Sequence, residues 1–200
     1  NIYKKCLSIG IDLTKDMIPV VPAAHYCCGG IKVNLNGESS IRRLYALGEA
    51  SSTGLHGGNR LASNSMMEAA VYADAAARHA ISVIDSIELQ RDIPAWDYEG
   101  TAVPEEMALI TQDYKEMQQI MTNYVGIVRS DVRLERAKRR LEIIFKETEE
   151  LYLKSTLSQH LCELRNMIAV GYLIIKQAEA RHESVGLHYS IDYPAKPVEI

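Results

Sequence analysis

Arg60 and His56 stand four residues apart in Thr53-Gly54-Leu55-His56-Gly57-Gly58-Asn59-Arg60, a stretch whose glycines let the backbone come close to a bound molecule. A guanidinium can grip a carboxylate through two parallel hydrogen bonds, and an imidazole adds a second polar contact. The chemistry on offer is recognition of an anionic or electron-rich group. Ser63, Asn64 and Ser65 follow as candidate caps of a helix from about Asn64 to Ile84. A helix start would point free N–H groups and the positive end of its dipole at whatever the loop holds. A β-type run, Leu44-Tyr45-Ala46-Leu47, enters the loop through Gly48-Glu49. Read from residue types alone, Arg60 is equally a surface ion-pair partner, His25 a hydrogen-bonded turn histidine, Glu49 a strand-end charge and Ser63-Asn64-Ser65 plain caps.

The longer pattern separates these readings. Gly48-Glu49 followed by the run from Thr53 to Ser65 resembles the flavin-contacting segment of the succinate dehydrogenase and fumarate reductase flavoprotein superfamily, in its aspartate-oxidising branch. Three further blocks fall in that family's order. They are Ile18 to Gly30 with His25-Tyr26-Cys27-Cys28-Gly29-Gly30, Asn123 to Ser130, and Glu183 to Pro194. The resemblance implies that Arg60 and His25 bind the carboxylates of a four-carbon dicarboxylate, that Glu49 meets the ribityl hydroxyls of FAD, and that the backbone of Ser65 and Met66 meets the flavin ring. It implies FAD-dependent oxidation of L-aspartate to iminoaspartate on the de novo route to NAD, with oxygen or fumarate as acceptor and quinolinate synthase as a possible partner. The alternative it leaves is a flavoprotein subunit of succinate dehydrogenase or fumarate reductase. Cys28 before Gly29-Gly30 and the run Leu61-Ala62-Ser63-Asn64-Ser65 favour the aspartate branch, since the respiratory subunits tend to carry methionine and Gly-Ala-Asn-Ser there. Two positions depart from the pattern: Val185 replaces a usual arginine and Gly58 a usual alanine.

The elements expected to position these residues make an α+β fragment, a partial FAD-binding domain followed by an antiparallel three-helix bundle. Residues 1–17 space Tyr3, Cys6, Leu7 and Ile11 as a short helix stopped at Gly10 and, by the resemblance, end a capping domain. Residues 18–85 supply the carboxy-terminal part of the FAD-binding domain. Within them Pro19 and Pro22 bracket an extended segment, and Asn36-Gly37 predicts a hairpin between Ile31-Lys32-Val33 and Ser39-Ser40-Ile41. The face Met66, Ala70, Ala73, Ala77, Ile81 and Ile84 predicts a helix buried beneath that sheet. Residues 86–103, around Trp96, read as a linker. Residues 104–182 carry three apolar stripes, with Pro104 in a first turn, Ser130-Asp131 at an N-cap and a break between Ser155 and Ser158. Residues 183–200 form a tail that folds back on the first domain.

Composition narrows the classes further. The 200 residues are 47% hydrophobic with a formal net charge of -4, enough apolar material for a core and no reason to expect nucleic acid or an anionic membrane. The basic run Arg133 to Arg140 shares its helix with glutamates, the pattern of a solvated face. The cysteines, Cys6, Cys27, Cys28 and Cys162, lack metal-ligand spacing, so no metal site is read and a reducing cytoplasm is expected. The adjacent Cys27-Cys28 pair reads as packing, not as a redox disulfide. No apolar run approaches the roughly 20 residues that cross a bilayer. No G-x-G-x-x-G turn occurs, and the chain starts at Asn1, so the expectation is the carboxy-terminal part of a longer flavoprotein. Such a fragment by itself should neither retain FAD nor turn over, and would behave as a helical module.

Overall fold

The computed structural model describes residues 1–103 and 107–195; Pro104 and Pro197, assigned above to a first turn and to the tail, lie outside them. The described chain is α+β, with α1 (Ile2–Ser8), β1 (Ile31–Lys32), a 3-10 turn (Gly48–Ala50), β2 (Ser51–Ser52), α2 (Asn64–Ile84), α3 (Met107–Tyr124), α4 (Asp131–Lys154) and α5 (Gln159–Glu179).

The bundle holds the main core. Helices α3, α4 and α5 pack on one another, burying Ile110, Met117 and Ile120 against Leu134, Ala137, Leu141 and Ile144 and against Leu161, Leu164, Ile168 and Ile175. Each fully buried Leu or Ile contributes about 1.5–3 kcal/mol relative to exposure. Gly171 sits where α5 meets α3: a Cβ there would run into the Met117 methyl and come to 3.3 Å from Met121 Sδ. Ser130 and Ser158 cap α4 and α5, accepting hydrogen bonds from the amides of Arg133 and Leu161, each at 3.3 Å.

The small sheet differs from the expected hairpin. Ile31-Lys32 does not pair with Ser39-Ser40-Ile41; it pairs in parallel with Ser51-Ser52. Asn36-Gly37 does turn the chain, with the Asn34 side chain accepting from the amides of Asn36 (2.9 Å) and Glu38 (3.1 Å). The returning segment then makes one antiparallel bridge, Glu38 with Tyr45, and Leu44–Leu47 forms no longer strand. The parallel pairing requires glycine at position 30, because a Cβ there would collide with the Ala50 carbonyl.

Helix α2 also corrects an expectation. Its apolar stripe is not buried: Met66 is 80%, Ile81 72% and Ile84 58% exposed, and the fully buried positions are Glu68 and Ala76. The buried face is the one that meets the 48–50 turn, where a Cβ on Gly48 would lie 3.6 Å from the Ala69 methyl. The predicted caps do not cap either. Ser63 stands at the N-cap in helical conformation and accepts no capping hydrogen bond.

The tail ties the bundle to the first half of the chain. Arg129 exchanges backbone hydrogen bonds with Tyr189 (3.0 Å) and Ile191 (3.1 Å), and the Asp192 carboxylate accepts from the Asp131 amide at the start of α4 at 2.7 Å. At its other end the Leu187 amide donates to the Gly58 carbonyl at 2.8 Å. Arg129 Nη1 donates to His188 Nδ1 at 2.8 Å. Burial lowers the Arg129 pKa, and burial followed by the Arg129 charge lowers that of His188.

Candidate functional site

The loop between β2 and α2 is fixed from below by a buried carboxylate. Glu68, 3% exposed in the second turn of α2, accepts from the Thr53 hydroxyl and from His56 Nε2, the latter at 2.6 Å. A buried carboxylate is costly unless its oxygens are satisfied, and both are satisfied here by the loop. The consequence is a loop clamped at two points to the helix it precedes. His56 therefore donates through Nε2, and its Nδ1 is buried with no partner among the described residues.

The Tyr26 ring meets the His56 ring edge-on, with centroids 5.2 Å apart and planes at 77°. Its face carries the Arg60 guanidinium, 4.2 Å from the ring centroid. Arg60 Nη2 lies 3.2 Å from His25 Nε2. Since arginine only donates, Nε2 carries the lone pair in this geometry and Nδ1 the proton. The two residues singled out as carboxylate ligands, 35 positions apart, thus stand side by side. Among the described residues no Asp or Glu pairs with Arg60, so its charge is left for an outside anion.

The other predicted residues surround the same loop. Glu49 lies in the 3-10 turn, where its Oε1 accepts from the Cys27 amide at 3.2 Å. Met66 is exposed at the start of α2, and the Ser65 hydroxyl is buried without a partner among the described residues. Cys27 and Cys28 are free thiols, with Cys28 in the left-handed region at φ 53°. An orphaned hydroxyl beside an uncapped helix start suits a cofactor with hydrogen-bonding ring atoms, and the residues present fit a flavin. Tyr26, Thr53 and Glu68 had no assigned role in the sequence reading. The signal for Glu68 was a lone acid among Met and Ala near a helix start, which ordinarily marks a solvated position. Among the described residues no three His, Cys, Asp or Glu side chains converge as a metal site, and no helix is long and apolar enough to cross a membrane.

Comparison with known proteins gives this site its context. Residues 1–66 match the family described as FAD binding domain, and residues 114–197 match the one described as fumarate reductase flavoprotein C-term. The class so defined is a flavoprotein. The chain belongs to the succinate dehydrogenase and fumarate reductase flavoprotein superfamily. It is 43% identical over 199 residues to the L-aspartate oxidase of Vibrio cholerae, covering 100% of this chain and 37% of that protein. With the L-aspartate oxidase of Yersinia pestis it shares 47% over 193 residues, covering 96% and 36%. Among solved structures, a quinol-fumarate reductase with menaquinol molecules superposes with a TM-score of 0.81 at 27% identity, covering 99% of this chain and 37% of that one. An E. coli quinol fumarate reductase gives 0.78 at 25%, with the same coverage. The chain therefore spans little more than a third of the length of the relatives it matches.

Proposed function

We propose that the protein carrying these residues is an FAD-dependent L-aspartate oxidase that converts L-aspartate to iminoaspartate on the route to NAD. The observation that carries the reading is the Arg60–His25 pair at 3.2 Å, a cationic fork and an imidazole side by side at the mouth of a glycine-rich loop. L-Aspartate offers two carboxylates, and a fixed fork holds one of them in two parallel hydrogen bonds while His25 Nδ1 donates to an acceptor. Fixing the substrate matters because misplacement by an ångström costs on the order of 100-fold in rate. Glu49 would accept from the ribityl hydroxyls of FAD, and Ser65 and Met66 at the start of α2 would face its ring. FAD held there would supply the redox chemistry, accepting the hydride of the substrate Cα that Arg60 and His25 present. Oxygen or fumarate is the proposed final acceptor, and quinolinate synthase the proposed consumer of the product.

Within this reading residues 1–17 end the capping domain, 18–85 complete the FAD-binding domain, 86–103 link, 104–182 form the bundle and 183–200 the tail. The bundle helices run antiparallel, a direction supported by the short connection from Lys154 to Gln159 between two long helices that pack together. A reducing cytoplasm suits the free cysteines. The isolated 200 residues should neither retain FAD nor turn over. A flavoprotein subunit of succinate dehydrogenase or fumarate reductase is the second reading, favoured by the superposition on quinol-fumarate reductase.

Assay of the complete protein with L-aspartate and with succinate decides between them; peroxide release from succinate alone would reverse the order. Arg60→Leu should abolish dicarboxylate use with flavin still bound. Concurrent loss of flavin would make Arg60 structural.

A further inference from the structure

We infer that Tyr26 is the positioning residue for Arg60, and that the buried Glu68–His56 pair is its foundation. The inference rests on the reading of Arg60 as a carboxylate ligand and names what aims it.

Among the described residues two neighbours could fix the head of Arg60: His25 Nε2 at 3.2 Å and the Tyr26 face at 4.2 Å. A carboxylate is the usual partner of a guanidinium, but it would occupy the N–H fork and compete with an anionic ligand. An aromatic face attracts the cation through its quadrupole without consuming an N–H donor. Tyr26 therefore fixes the plane of the guanidinium and leaves its donors and charge for the incoming carboxylate. The ring is itself fixed. His56 meets it edge-on in a T-shaped arrangement with centroids 5.2 Å apart, and His56 is locked by its 2.6 Å bond to Glu68, which also holds Thr53. The Tyr26 hydroxyl makes no hydrogen bond among the described residues, so it is the ring that carries the function.

The test uses the complete flavin-loaded protein and two readouts: KM for L-aspartate, and the dissociation constant of succinate read from the flavin absorbance change. Tyr26→Met keeps bulk but removes the π face. It should raise KM and the succinate constant about tenfold each, equivalent to about 1.4 kcal/mol, with flavin content and melting temperature close to those of the parent. Tyr26→Phe should restore both constants to within about threefold. If Tyr26→Met does not fold, Tyr26→Leu is read in the same way. Unchanged succinate binding in the Met or Leu variant overturns the inference, as does a Phe variant as impaired as they are, or a loss confined to kcat. A parent that binds succinate yet does not oxidise L-aspartate overturns the proposed activity alone, since the succinate titration still reports on Tyr26.

Discussion

The amide of Leu187 donates to the carbonyl of Gly58 at 2.8 Å, joining the tail to the loop two residues before Arg60. The contact is close enough to be selective. Gly186, at φ +59°, could not accept a Cβ without collision with the Gly58 carbonyl, and a Cβ on Gly58 would lie 3.3 Å from Val185 Cγ1 and 3.3 Å from the Gly186 Cα. The two departures from the family pattern, Gly58 for alanine and Val185 for arginine, therefore face each other, and a methyl at position 58 would press on Val185.

That contact predicts coupling between them. Gly58→Ala should destabilise the protein by about 0.5 kcal/mol beside Val185 and by less in a Val185→Ala background, where only the contact with the Gly186 backbone remains. A double-mutant cycle by urea unfolding measures it, and strict additivity would refute the coupling. Gly186→Ala should cost more, about 1–3 kcal/mol, because it adds backbone strain to the collision.

The helix starts predict a contrast. Ser130→Ala removes the buried acceptor of the Arg133 amide and should cost about 1 kcal/mol. Ser63→Ala removes no capping bond and should change stability by no more than about 0.5 kcal/mol. Equal effects in chemical denaturation would contradict the capping geometry.

His188 gives a pH dependence. Its folded pKa is lowered from 6.5 by burial and by the Arg129 charge, so the unfolded chain binds the proton more readily than the folded one. The stability it contributes is complete above about pH 6.5 and declines as pH falls through the interval down to the depressed folded value. His188→Asn, which keeps an acceptor for Arg129, should flatten that decline. Melting temperatures measured from pH 7.5 downward test this, and parallel curves for the two proteins would count against it.

The bundle was legible because its pattern is local. Leu134, Ala137, Leu141, Ile144 and Thr148, then Leu161, Leu164, Ile168, Gly171, Ile175 and Ala178, recur at helical spacing and are buried; on the same stripes Leu151, Tyr114, Met121 and Tyr124 are half-buried and Met107 is exposed where α3 begins. Helix α2 shows where this fails. Its apolar stripe at Met66, Ile81 and Ile84 is as regular, yet burial follows the neighbour at the 48–50 turn and selects Glu68 and Ala76. The hairpin failed for a related reason: Asn36-Gly37 fixes a bend, but the partner of Ile31-Lys32 is set by Ser51-Ser52, far along the chain. At the site, the family resemblance of the sequence blocks, not the residues alone, singled out Arg60 and His25. The Glu68–His56–Tyr26 support depends on contacts between distant residues that no single stretch displays.

Helix α2 begins with hydrogen-bonding capacity to spare: among the described residues no side chain caps it, and the Ser65 hydroxyl is enclosed without a partner. A molecule bringing acceptors to that end would complete the first turn as it docks, so part of its affinity is free energy of local ordering. Protection of the amides from Ser65 to Met67 against solvent hydrogen exchange then becomes a gauge of occupancy, readable without any turnover.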